Sequence, residues 1–169
     1  MFEKGEYIIY GNTGLCIVED ITTMNMTGIS KDKLYYVLNP YNQRESRIFT
    51  PVDNKKTVMR KLVTKKQALE LIDSIPGMNQ EEISNDKQRE EEFKEALKSS
   101  ECSKWMKLIK SIYIREKERN AQGRKITATE ERYLNVSEER LFSELSIPLE
   151  IPKEQVKKFI SDRIQAIGN

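Results

Sequence analysis

Short apolar runs separated by turn residues fill the first third of the chain, and repeats of three and four residues fill the rest. From Tyr7 the text reads YIIY, GNTG, LCIV, and a Gly-Asn-Thr-Gly turn between two apolar runs is a hairpin signature. Gly28, Ser30 and Asp32 interrupt residues 25–33 before KLYYVL, and Asn39-Pro40 ends that third strand. QRESRIFT over 43–50 predicts a fourth strand, with Ser46, Ile48 and Thr50 on one face and Arg47 and Phe49 on the other; Pro51 closes it. Five short strands in the first 63 residues, rich in β-branched and aromatic side chains, predict a small antiparallel barrel of the SH3 or Tudor type. Gly5, Gly11 and Gly14 fall where turns need unusual dihedrals. Tyr7, Tyr10, Tyr35, Tyr36 and Phe49 are numerous enough for a methyl-cation cage, but in so small a barrel they read as core.

Beyond Val63 the period lengthens. Thr64-x-x-Gln67 is a capping-box pattern, and it predicts a helix over 67–75 with Ala68, Leu71, Ile72 and Ile75 on one stripe, stopped by Pro76-Gly77. Residues 79–100 are acidic, with Glu90-Glu91-Glu92 and few anchors besides Ile83, Phe93 and Leu97; they read as an exposed helix with one narrow buried seam. Over 103–120, Trp105, Leu108, Ile109, Ile112 and Tyr113 follow the helical repeat, so Trp105 reads as a core residue. Thr127-x-x-Glu130 caps a further helix carrying Leu134, Leu141 and Leu145, and Pro152 sits at a first-turn position of a last helix through Val156, Ile160 and Ile164. The expected fold is α+β in two domains: a barrel over 1–63 and an all-α module over 64–169.

Composition narrows the chemistry. Of 169 residues, 37% are apolar and 33% charged, and no apolar run approaches the roughly 18 residues of a membrane helix. Glu3, Lys4 and Glu6 interrupt the N-terminus, so no secretory leader is expected and a cytoplasmic location is. Cys16 and Cys102 stand 86 positions apart without a CxxC partner, which fits a reducing compartment. With no histidine, an imidazole base, a Ser-His-Asp triad and a His-ligated metal are excluded. The chain also lacks GxxxxGK[ST] and GxGxxG loops. No enzyme, catalytic residue, metal or cofactor is therefore expected. The net charge of +2 hides alternating blocks: 10 Lys/Arg against 7 Asp/Glu over 1–65, then 5 against 9 over 66–100, 8 against 3 over 101–125, and 6 against 8 over 126–169. Such blocks suit local contacts with polyanions or proteins, and equally suit solvated helix faces.

Phe2-x-x-Gly5-x-x-Ile8-x-Tyr10-x-x-x-Gly14, Tyr35-Tyr36-Val37-Leu38, Thr50-Pro51-Val52-Asp53-Asn54 and Val58-x-Arg60 resemble the N-terminal domain of the CarD/CdnL family of bacterial transcription regulators, a domain shared with the repair coupling factor. The second half is similar too, through Arg115-Glu116-Lys117-Glu118-Arg119, Gly123-Arg124-Lys125, Ile126-x-x-x-Glu130-x-Arg132-x-Leu134 and Leu141-x-x-Glu144-Leu145. The resemblance implies a Tudor-like domain that lays an edge strand against the β subunit of bacterial RNA polymerase, and an unpaired edge is a template for such strand addition. It places Met24, Arg47, Phe49, Thr50 and Pro51 in the contact region. Met24 and Phe49 stand where the family is expected to carry arginines, and Arg47 offers partial compensation.

The same resemblance implies contact with promoter DNA at the upstream edge of the melted region, through the minor groove and phosphates and without base-sequence specificity, so that the open complex is stabilised. It implies a tryptophan wedge four residues ahead of an aromatic; here that aromatic matches Phe93, and Arg89 stands in the wedge position. Candidate DNA contacts are Arg89 and Lys94, then Lys107 and Lys110, then Arg124, Lys125 and Arg132 near a helix N-terminus. The implied location is the nucleoid, through polymerase, with no membrane partner. The competing expectation is a polymerase-binding protein without productive DNA contact, favoured by the missing wedge and the neighbouring acidic run.

Overall fold

In the computed structural model, residues 1–78 and 85–168 are described, and they divide into two compact units, Met1–Leu62 and Val63–Asn169. Ile83, one of the anchors expected from the sequence, lies outside the described residues.

The first unit is an antiparallel sheet of β1 (Tyr7–Tyr10), β2 (Gly14–Thr23), β3 (Leu34–Pro40), β4 (Ile48–Pro51) and β5 (Met59–Lys61), in the order β4-β3-β2-β1-β5. The first hairpin is as tight as its sequence requires: Tyr10 pairs with Gly14 across a single 3-10 turn. Gly11 there has φ +43°, and a Cβ on it would stand 2.7 Å from the Thr57 methyl, so both dihedral and space demand glycine. Ile8, Cys16, Val18, Tyr36 and Leu38 form the buried cluster. Tyr36 meets its polar requirement by accepting a 3.0 Å hydrogen bond from the Phe2 amide while its ring packs against Phe2. A register shift between Val18 and Asp20 interrupts the β2–β3 ladder. The fourth strand is shorter than its alternation suggests. It begins at Ile48, because the turn ahead of it is held by bonds from the Gln43 amide to Pro40 and from the Ser46 amide to Gln43.

The second unit is helical: α1 (Lys65–Asp73), α2 (Asp86–Ser99), α3 (Cys102–Ala121), α4 (Ala128–Leu149) and α5 (Lys153–Gly168). The Thr64 capping box is present in both directions, Thr64 Oγ1 accepting from the Gln67 amide and Gln67 accepting from the Thr64 amide. α1 stops at Asp73, and residues 75–77 form a 3-10 turn around Pro76 rather than the end of the helix. Pro152 lies immediately ahead of α5, where its carbonyl accepts from the Gln155 amide; it introduces the helix instead of occupying its first turn.

α3 supplies the centre of the unit. Trp105 and Ile112 are completely buried, and Met106, Leu108 and Ile109 nearly so. Ala68 and Ile72 of α1, Leu141 and Leu145 of α4 and Val156 of α5 complete this buried set. Glu144 is buried among the apolar residues of α4, and its carboxylate accepts the Val63 amide at 3.0 Å. Arg163 of α5 grips Asp73 of α1 with two hydrogen bonds, at 2.6 and 2.9 Å. Among the described residues, no helix is long and apolar enough to cross a membrane.

Candidate functional site

In the first unit, β4 pairs with β3 alone, so the sheet ends there with a strand whose outer side has no partner strand among the described residues. The register sets Phe49 opposite Val37 and Pro51 opposite Tyr35, so Phe49 and Pro51 share the face pointing away from the buried cluster. Phe49 is half exposed, which removes it from the core where the aromatic count put it. Thr50 points the other way. It is buried, with its hydroxyl accepting from Asn54 Nδ2 at 2.9 Å, so only its backbone is available at the edge.

Arg47 stands just ahead of β4. Its guanidinium forms an ion pair with Glu19 and donates to the carbonyls of Arg44 (2.7 Å) and Ser46 (2.9 Å). It is thereby held close to the sheet while remaining partly open to solvent. Met24 follows the end of β2 and is half-buried.

In the second unit, two of the seven candidate cations come together around a pair of aromatic rings. Arg89 of α2 lies over the Phe93 ring at 5.5 Å, Phe93 packs on Tyr133 of α4 at 5.3 Å, and Arg132 covers Tyr133 at 5.2 Å. The i to i+4 spacing within α2 puts Arg89 and Phe93 on one face, and neighbouring positions on α4 supply the other half. Beneath this stack Glu130 is buried. Its carboxylate pairs with Arg115 at 3.1 Å and Arg119 at 3.9 Å, and Thr127 donates to it at 3.1 Å. Arg115 also reaches Asp86 at 3.4 Å, and Arg119 donates to the Lys125 carbonyl at 3.2 Å, tying α3 to the loop that carries Arg124 and Lys125. Desolvation, followed by the charge of Arg115, pulls the Arg89 guanidinium below the ordinary arginine value. Arg89 Nε and Nη2 are buried with no hydrogen-bond partner among the described residues.

The other candidates separate. Arg124 and Lys125 are exposed beside Gly123, whose φ of 72° turns the chain from α3 toward α4. Lys107 is exposed on α3. Lys94 is exposed and faces Glu90 at 3.7 Å, a loose pair on the helix surface. Lys110 is engaged within the helical unit. Its ammonium donates to the carbonyls of Ile75 (2.6 Å) and Met78 (3.1 Å), so it stabilises the chain leaving α1 and is not a free cation. Arg115, Arg119, Glu130 and Tyr133 organise the site although the sequence reading placed none of them among its candidate contacts; the i to i+4 spacing of Arg115 and Arg119 was the visible signal for that pair.

Comparison with known families accounts for both units. Residues 2–63 match the CarD-like/TRCF RID domain, and residues 70–161 match the CarD C-terminal domain. No curated protein matches the sequence. The two matches follow the order of the sheet unit and the helical unit and cover nearly all of the chain. The chain belongs to the CarD family, a family of non-catalytic transcription factors that interact with RNA polymerase.

Proposed function

We propose that this protein docks on the β subunit of RNA polymerase through the β4 edge, with Arg47, Phe49 and the backbone through Pro51 as the contact, and touches promoter DNA through the helical unit to lengthen the life of the open complex. The edge strand suits strand addition, and half-exposed Phe49 beside Pro51 gives it an apolar anchor. No catalysis is involved, and the protein works in the cytoplasm at the nucleoid.

The DNA reading rests on the stack from Arg89 through Phe93 and Tyr133 to Arg132, which holds two cations from different helices on one aromatic support. Arginine is suited to a narrow minor groove, so Arg89 takes the wedge position as a cation in place of an apolar ring. Arg124 and Lys125 add phosphate contacts, each worth roughly one unit of log–log salt slope.

Open-complex lifetime measured with polymerase and full-length protein tests this. Replacing Arg124 and Lys125 together by alanine should shorten the lifetime, and Arg89→Trp should lengthen it. If neither changes the lifetime while polymerase binding persists, the helical unit does not act on DNA. The competing reading, a polymerase-bound protein without productive DNA contact, then replaces it; the acidic run at Glu90-Glu91-Glu92 beside Arg89 is the observation in its favour.

A further inference from the structure

The outer face of the sheet at its β4 end is apolar. Phe49, 50% exposed, stands opposite partly exposed Val37, and partly exposed Pro51 stands opposite Tyr35, so the four side chains form one strip along the open edge. Single apolar residues on a surface need no explanation, but a contiguous strip beside a strand without an outer partner marks an interaction surface. β4 is four residues long and ends in a proline, which has no N–H. Strand addition here therefore supplies few main-chain hydrogen bonds, and buried side chains must carry much of the affinity.

Charge does not do this instead. The Arg47 guanidinium already pairs with Glu19 and donates to two carbonyls of its own turn. Exposed Asp20 stands opposite Val37 on the next strand, so the surroundings of Phe49 offer little net positive charge. A partner carboxylate would have to replace Glu19 at Arg47, exchanging one partly exposed ion pair for another with little gain. Arg47 is thereby left at the rim, and the centre falls to Phe49. We propose that the polymerase strand added to β4 presents apolar side chains against Phe49, Val37 and Pro51, so that this docking is driven by their burial and depends little on salt. The inference rests on the β4 docking proposed above, and it makes the facing surface of the β subunit apolar, where arginines at the edge would call for an acidic one.

The test uses full-length protein with RNA polymerase. Wild-type affinity should fall less than about threefold between about 0.1 and 0.4 M salt, a range over which exposed charges become strongly screened. Phe49→Ser should weaken binding about thirtyfold, the loss of an aromatic hot spot, and Phe49→Arg should weaken it as well. Both variants should fold, because Phe49 lies outside the buried cluster, and thermal melting checks this. Hydrogen exchange over residues 47–51 reports separately whether polymerase covers β4. Protection there, with Phe49→Ser binding as tightly as wild type or Phe49→Arg binding more tightly, overturns the apolar contact and leaves the docking edge intact; so does a steep loss of affinity with salt. Absence of protection while polymerase is bound overturns the docking edge and this inference with it. Self-association of the free protein that Phe49→Ser abolishes, with polymerase affinity unchanged, assigns the strip to a second copy of the chain and overturns the inference too.

Discussion

The amide of Val63 donates a 3.0 Å hydrogen bond to the carboxylate of Glu144, eighty-one positions further along the chain. Glu144 is fully buried and Val63 partly so, and the bond ties the start of the helical unit to the last third of α4. Glu144→Ala removes the acceptor and leaves the amide unpaired, and the expected loss is about 1–3 kcal/mol of stability in that unit. Glu144→Gln keeps a carbonyl acceptor and should lose less. Urea unfolding of both variants decides this; equal stability of wild type and Glu144→Ala would show that the bond is dispensable.

Trp105 is the single tryptophan and has no exposed surface. Its fluorescence should be that of a ring shielded from water and should shift to longer wavelength only on unfolding. Trp105→Ala should cost about 3–5 kcal/mol, the usual loss for a large buried aromatic. Unchanged thermal stability together with loss of open-complex stabilisation would instead make Trp105 a displaced wedge.

Arg47 and Glu19 form a partly exposed ion pair beside the β4 edge. Arg47→Glu should weaken binding to the polymerase β lobe, chiefly by slowing association, as charge changes at the rim of interfaces do. Stability should change little, because exposed pairs contribute about 0–1 kcal/mol. Adding Glu19→Arg to Arg47→Glu restores the pair within the protein. Binding that recovers fully would show that Arg47 serves only to hold the sheet, whereas a persistent defect marks a direct contact.

Burial pushes the Cys16 thiol up to about 11. The thiolate is the nucleophile, so Cys16 should resist alkylation in the folded protein at neutral pH and react on unfolding. The same shift makes stability fall at alkaline pH. Above about 8.5, the ordinary cysteine value, the unfolded chain releases this proton and the folded one does not until about 11. Cys16→Ala should flatten that part of the stability profile, and a profile of unchanged slope would remove Cys16 as the cause.

Asp73 is the acid-side counterpart. Its hydrogen bonds from Arg163 hold its carboxyl below the usual carboxylate value. The contribution is present above the ordinary aspartate range and fades as pH falls through the lowered folded value, since protonation then breaks the α1–α5 clamp. Asp73→Asn should therefore reduce stability at neutral pH and converge with wild type in acid, as followed by thermal melting across pH.

Local order was legible in the sequence wherever one short segment carries its own reason. The tight first hairpin follows from Gly11 and Gly14, the start of α1 from Thr64 and Gln67, and the burial of Trp105 from the repeat through Ile112. The two faces of β4 followed from alternation, but that Thr50 points inward and Phe49 outward was decided by packing, and where the strand begins by hydrogen bonds of the preceding turn. The fate of each cation was not legible, because a lysine or arginine reaches across several ångströms to whatever acceptor packing brings near. Lys110 belongs to the α1 exit because packing brings the Ile75 and Met78 carbonyls of that turn within its reach; Lys107, three positions earlier, is exposed. Arg89 and Arg132 join one stack because Phe93 and Tyr133 meet between α2 and α4, forty positions apart in the chain. Elements were thus determined by short-range pattern, and the candidate site by long-range packing, which alone decides where charged groups find their partners.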